Sequence, residues 1–139
     1  MARLGLHKGI GILRDLAKHF PNEKFIIAGQ GKMPIELLPN MEFVGCLNGE
    51  EKKGYLSNAK AIISPSFYAE PFGLTPLEGM ACACAVVASD TGAFKTIVDE
   101  AKTGYVVPTE DVAALVIALH KLMQNPTQTA EMGRLGRLR

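Results

Sequence analysis

The sequence lacks several features that would each point to a particular class of protein. It has no excess of one charge, because 15 Lys and Arg balance 14 Asp and Glu and leave a net charge of +1. A nucleic-acid-binding domain normally carries a basic excess or a basic stripe, so that class is disfavoured. The longest apolar run, residues 80–88, is about half the length that crosses a bilayer, and no apolar signal segment opens the chain. We expect a cytoplasmic protein with no nucleic-acid partner and no membrane span.

Residues that bind metals or form disulfides are also few. The three cysteines are an odd number, and Cys82 and Cys84 are separated by one residue rather than the two typical of zinc or redox pairs. The three histidines are far apart and form no H-E-x-x-H pattern. They are His7, His19 and His120, and the remaining cysteine is Cys46. We therefore predict reduced cysteines with an apolar role and no metal ligated by these residues.

What the sequence does contain is an alternation of two kinds of apolar segment. Short segments rich in Ile, Val and Phe are closed by Gly, Pro, Ser or Asp and are typical of buried strands. Between them, apolar residues recur at helical spacing over residues 10–20 and 112–122, and Asn125-Pro126 precedes a last predicted helix over 127–138. The predicted strands are 25–28, 43–44, 61–63, 86–88 and 105–107.

This alternation predicts a single α/β domain of residues 1–139 with a doubly wound, Rossmann-like parallel sheet. A chain of this length is within the usual range for one domain and buries roughly two thirds of the surface that the unfolded chain exposes. Helices cover both faces of such a sheet, and ligands bind beyond the carboxyl ends of its strands.

Two glutamates lie beyond one of those strand ends, in the stretch SFYAEPFGLTPLEGMA, residues 66–81. Thr75 is predicted to cap a helix, with Pro76 at the first helical position and Glu78 at the third, which is the capping-box pattern. For Glu78, a capping role and a ligand-binding role are alternatives. Glu70 has no such structural explanation, because it lies in the loop directly before a proline.

The start of this predicted helix is suited to an anion. Gly73 permits a close backbone approach, and the free N–H groups and the positive end of the helix dipole form a site for phosphate. Glu70 and Glu78 on either side can accept hydrogen bonds from hydroxyls. A sugar nucleotide has this order of groups: ribose hydroxyls, a diphosphate and sugar hydroxyls.

These residues resemble the donor-binding, C-terminal half of the retaining GT-B-fold glycosyltransferases, the group that includes glycogen synthases, sucrose synthases and bacterial mannosyltransferases. The likeness begins with the E-x7-E spacing of Glu70 and Glu78 within EPFG and LEGMA, and it covers nearly the whole chain. It continues in ARL followed by KG, EFVG, LSNAKAIISPS, VVASDTGAFKTIV and KTGYVVP. The resemblance implies one half of a GT-B fold, with transfer of a sugar from a nucleotide-diphosphate sugar to an acceptor hydroxyl and no cofactor.

The resemblance also implies a role for individual residues. The residue matching Glu78 binds the ribose hydroxyls of the donor, and the residue matching Glu70 lies near the transferred sugar and the reacting carbon. Arg3 and Lys8 match a basic pair that neutralises the leaving diphosphate without a metal, although two solvated surface cations are the alternative. The other implied donor-binding positions, which surround the diphosphate, are Phe72, Gly73, Leu74 and Thr75.

Three small residues depart from the usual pattern of that family. Gly79 stands where alanine is usual, and glycine is unfavourable in a helix interior by about 1 kcal/mol. Ala83 and Ala101 stand where glycine is usual. If the turn at Ala83 requires a positive φ, we expect it to be strained.

Enzymes of this group have two Rossmann-like domains with the active site between them, and we expect the acceptor-binding domain to be absent from residues 1–139. We also expect the first strand to be truncated, since only residues 1–4 precede a helix predicted to start near Lys8. In the strand order 3-2-1-4-5-6 that strand is central, so its neighbours would keep unpaired backbone groups. Either a stub strand with some disorder or self-association would follow.

The isolated chain is therefore expected to lack transferase turnover, with the full-length enzyme cytoplasmic or peripheral to the membrane. Two other functions stay open. One is a non-catalytic nucleotide- or sugar-binding module, and the other is one half of a sugar-nucleotide epimerase.

Overall fold

The computed structural model describes residues 9–33, 35–66 and 74–139. Within them strands mostly alternate with helices as predicted, but the described residues between the first two strands form no helix. In chain order the elements are α1 (Ile10–Lys18), β1 (Phe25–Ala28), β2 (Met41–Gly45), α2 (Gly49–Asn58), β3 (Ala61–Ser64), α3 (Leu74–Ala81), β4 (Ala85–Ser89), α4 (Phe94–Ile97), β5 (Gly104–Val107), α5 (Val112–Gln124) and α6 (Pro126–Leu138). Each predicted strand is present, and the second is longer than its predicted span of 43–44. None of the helices in these ranges is long and apolar enough to cross a membrane.

All the strand pairings are parallel, as expected of a doubly wound α/β fold. β1 pairs with β2, and β4 lies between β3 and β5. Alternate residues of β4 belong to different apolar clusters: Val87 packs with Leu16 and Leu115, whereas Val86 packs with Met80 and Phe94. This strand is therefore covered on both faces, which confirms the predicted fold class.

The described strands form two sheets rather than one. Within the described ranges, β1 and β3 are each paired on one side only, and a cleft of about 850 Å³ is lined by every residue of both strands. In the order 3-2-1-4-5-6, these two strands would flank a central first strand. The division therefore lies where that strand is expected. Residues 1–4 lie outside the described residues, so the truncation stays a prediction.

Three of the described helices, α2, α5 and α6, begin at side-chain caps. Asn48 accepts a hydrogen bond from the Glu51 backbone N–H at 2.8 Å at the start of α2, and Asp111 accepts one from the Ala114 N–H at 2.9 Å at the start of α5. Asn125 caps α6, with proline as the first helical residue, so the predicted boundary there is confirmed.

The cysteines only partly follow their predicted role. All three are free of disulfides. Cys84 is buried, and that burial, with a smaller effect of Cys82, raises the pKa of its thiol to about 12, so it acts as a small apolar side chain. Cys46 is exposed, because it follows β2 in a surface loop, and the apolar role predicted for it is wrong.

The turn after α3 has the strain that the sequence predicted. Ala83 adopts φ 59°, and the backbone N–H groups of Ala83 and Cys84 donate to the carbonyls of Met80 and Gly79, each at 2.9 Å. This is the Schellman arrangement, in which the left-handed position normally holds glycine. Ala101, the second alanine at a family glycine position, has φ 63°. A β-carbon in this region is unfavourable by about 1–2 kcal/mol.

We predict that Ala83→Gly and Ala101→Gly each raise the free energy of unfolding, by about 0.5–1 kcal/mol after the greater chain entropy of glycine is subtracted. The measurement is urea-induced unfolding followed by circular dichroism. Ala130→Gly is the matched control, because Ala130 is exposed inside α6 and should lose about 1 kcal/mol. Equal losses in all three variants would contradict the assigned strain.

The divided sheet leads to a second prediction. If the first strand is truncated as predicted, the facing edges of β1 and β3 expose backbone donors and acceptors that a second chain can satisfy, so we predict self-association that increases with concentration. Size-exclusion chromatography with light scattering should give a mass approaching twice that of the monomer. A strictly monomeric chain that unfolds cooperatively would show that the gap is not repaired in this way.

Candidate functional site

The candidate site lies at the carboxyl end of β3, where α3 begins. α3 packs closely on β3, because a β-carbon built on Gly79 would lie 2.5 Å from Cγ2 of Ile62. α3 begins at Leu74, earlier than predicted, so Thr75 lies inside the helix instead of capping it. The predicted capping box of Thr75 and Glu78 is therefore not the observed arrangement. This difference of two residues is common at helix ends, and it moves Glu78 beyond the first turn.

Glu78 has a different partner from the one that a capping box would give it. Nζ of Lys52, on α2, donates a hydrogen bond to Oε1 of Glu78 at 3.0 Å. The two side chains are 24% and 36% exposed, and both line the cleft together with Thr75. The carboxylate is thus held at the wall of the cleft and remains accessible to solvent.

The end of β3 supplies polar groups to the same cleft. Ser64, Pro65 and Ser66 line it, and the two serines are buried. Among the described residues, the hydroxyl of Ser64 has no hydrogen-bond partner.

The amino end of α1 meets the same strand end. Gly9 has φ 82°, and a β-carbon there would collide with the carbonyl oxygen of Pro65. Two helix amino ends, those of α1 and α3, therefore adjoin the carboxyl end of β3, and each presents free N–H groups and a positive dipole end. Together with the Glu78 carboxylate, this edge can donate to an anion and accept from hydroxyls.

Several predicted site residues lie outside the described residues, and their roles stay predictions. These are Arg3, Lys8, Glu70, Phe72 and Gly73. Of the others, Leu74 begins α3, and Thr75 and Glu78 lie on the cleft wall.

Sequence reasoning missed Lys52 and Ser64. No sequence signal identified Lys52, because a lysine in a polar helix resembles many surface lysines. Ser64 had a weak sequence signal, since it is the polar last residue of an apolar strand.

The full length of the chain, residues 1–139, matches the family model described as glycosyl transferases group 1. The chain belongs to this family. A glycogen synthase of Mycobacterium tuberculosis is 31% identical over 97% of this chain and 34% of its own length. These findings bear out the resemblance that the motifs predicted.

Solved structures of glycosyltransferases have the same fold as this group 1 domain. A sucrose-phosphate synthase from Thermosynechococcus elongatus is 28% identical with a TM-score of 0.91, over 99% of this chain and 38% of that one. Anabaena Alr3699/HepE, in complex with UDP-glucose, is 21% identical with a TM-score of 0.88, over 99% of this chain and 42% of that one. The fold is that of the C-terminal domain of a GT-B glycosyltransferase. The chain spans about a third of the length of the curated relatives it matches.

Proposed function

We propose that this chain is the nucleotide-sugar donor-binding domain of a retaining glycosyltransferase, which moves a sugar from a nucleotide diphosphate to an acceptor hydroxyl. The observation that carries the proposal is the accessible Glu78 carboxylate in the second turn of α3, on the wall of the cleft that extends along β3 to its carboxyl end. Hydroxyl acceptors next to anion donors match the order of groups in a nucleotide sugar.

In this proposal each group has a separate task. Glu78 accepts hydrogen bonds from the ribose hydroxyls, and the backbone N–H groups at Leu74 and Thr75, with those of Gly73, hold the diphosphate. The HepE structures with UDP and with UDP-glucose support a donor of this class, because they share the fold of this chain.

The transfer step places negative charge on the diphosphate. As the bond between the sugar carbon and the diphosphate oxygen breaks, its electron pair stays with that oxygen. The acceptor oxygen bonds to the carbon, and the proton of the acceptor hydroxyl passes to the leaving diphosphate oxygen. Arg3 and Lys8 are proposed to stabilise this charge, so that no metal is required, and Glu70 is proposed to lie near the reacting carbon. Gly9, which follows Lys8, contacts Pro65 at the end of β3, and this contact supports the placement of the basic pair.

A second candidate function is a non-catalytic nucleotide-binding module. The observation in its favour is that the chain spans only about a third of the length of its curated relatives. Both candidates require nucleotide binding, and they differ in turnover. We propose that residues 1–139 alone bind the donor without transferring its sugar.

Nucleotide binding can be tested by thermal unfolding with UDP, GDP, ADP and dTDP. We predict that one of these ligands, at about 100 times its dissociation constant, stabilises the chain by about 2.7 kcal/mol, which raises the midpoint by several degrees. Inorganic pyrophosphate is the control for binding through the diphosphate alone. A chain whose midpoint none of the four nucleotides raises would contradict the proposed function.

The role of Glu78 can be separated from its part in stability. We predict that Glu78→Gln weakens nucleoside diphosphate binding about ten-fold, since a charged acceptor is lost, and changes the unliganded midpoint little, since the ion pair is partly exposed. Isothermal titration calorimetry measures the affinity. Glu23→Gln is the matched control, because Glu23 pairs with Lys60 at 2.8 Å in the same cleft, at the amino ends of β1 and β3. Equal losses of affinity in both variants would contradict a specific role of Glu78 in nucleotide binding.

A further inference from the structure

Lys52 and Glu78 come from elements that are far apart in the sequence, and their side chains are 26 positions apart along the chain. Lys52 belongs to α2, a helix that has no buried residues and a polar composition. Its ammonium nevertheless contacts Glu78 on α3, and the Lys52 side chain is only 24% exposed. Glu78 thus has a fixed cationic partner, which the sequence pattern did not indicate.

Stability alone does not explain this pair well. Partly exposed ion pairs contribute little to the free energy of unfolding, with a median near 0–1 kcal/mol. The pair has a clearer effect on the carboxylate itself. A glutamate side chain is flexible, and Lys52 restricts it to one orientation by binding Oε1.

The geometry of the pair leaves the carboxylate able to bind a ligand. An ionised carboxylate has about four lone-pair sites on two oxygens, and one lysine donor uses one of them. Among the described residues, Oε2 and the second lone pair of Oε1 therefore remain, which is enough for two further donors. Two neighbouring hydroxyls of a ribose supply two donors.

We propose that Lys52 is a positioning residue, which holds the Glu78 carboxylate in the orientation that accepts the two ribose hydroxyls and so makes the site select ribonucleotides over deoxyribonucleotides. This inference rests on the proposed function, because it assumes that a nucleoside diphosphate binds at Glu78. It adds that the selectivity for the sugar of the nucleotide depends on α2 as well as on α3.

The test compares two ligands that differ only in those hydroxyls. Isothermal titration calorimetry is carried out with whichever of UDP, GDP and ADP binds best and with its 2′,3′-dideoxy form, on the wild type, Lys52→Met, Lys52→Gln and Lys52→Arg. We expect Lys52→Met and Lys52→Gln to weaken the ribonucleotide about ten-fold and to leave the dideoxy form within about two-fold. Lys52→Arg, which keeps a cationic donor, should restore ribonucleotide affinity to within about three-fold of the wild type.

The matched control is Lys60→Met, which removes a lysine from the other ion pair of the same cleft and should change neither affinity. Equal weakening of both ligands in the Lys52 variants would overturn the inference, because Lys52 would then act on the diphosphate. Unchanged affinities, or the same pattern in Lys60→Met, would also overturn it. A wild-type chain that binds no nucleoside diphosphate would overturn the proposed function together with the inference, whereas normal wild-type binding with equal effects of the Lys52 variants on both ligands removes the inference alone.

Discussion

The close contact between α3 and β3 decides where the candidate site lies. Gly79 rests on Ile62, and a β-carbon at this position would force the helix away from the strand. The glycine lowers the intrinsic stability of the helix by about 1 kcal/mol, but it lets α3 pack directly on the strand. The amino end of α3 is thereby fixed at the carboxyl end of β3, with Glu78 on the wall of the cleft. Gly79, which stands where alanine is usual in the family, thus has a packing explanation.

The cleft gives chemically different surroundings to two similar ion pairs. Lys60 and Glu23 pair at the amino ends of β1 and β3, whereas Lys52 and Glu78 pair beside α3. Only the second pair adjoins the carboxyl end of β3, where helix amino ends and the buried Ser64 hydroxyl meet. The surroundings rather than the ion pair itself therefore favour the second location as the ligand site, in agreement with the general rule for open parallel sheets.

Local signals predicted the strands and the strained turn, whereas the partners of the site residues could not be predicted. Short apolar segments closed by Gly, Pro or Ser identified the five strands, and the missing glycine at Ala83 identified a position of positive φ. The start of α3 was predicted too late in the chain, because a threonine followed by a proline is typical of a helix start. In the structure both Thr75 and Pro76 lie inside the helix. The contact of Lys52 with Glu78 depends on how α2 and α3 pack, and that information is not local.

The most direct measurement of the central claim is a crystal structure of the chain with a bound nucleoside diphosphate. The account predicts the ribose hydroxyls within hydrogen-bond distance of the Glu78 carboxylate, about 2.5–3.0 Å, and the diphosphate against the first backbone N–H groups of α3. A nucleotide bound elsewhere, with Glu78 in contact with Lys52 alone, would contradict it.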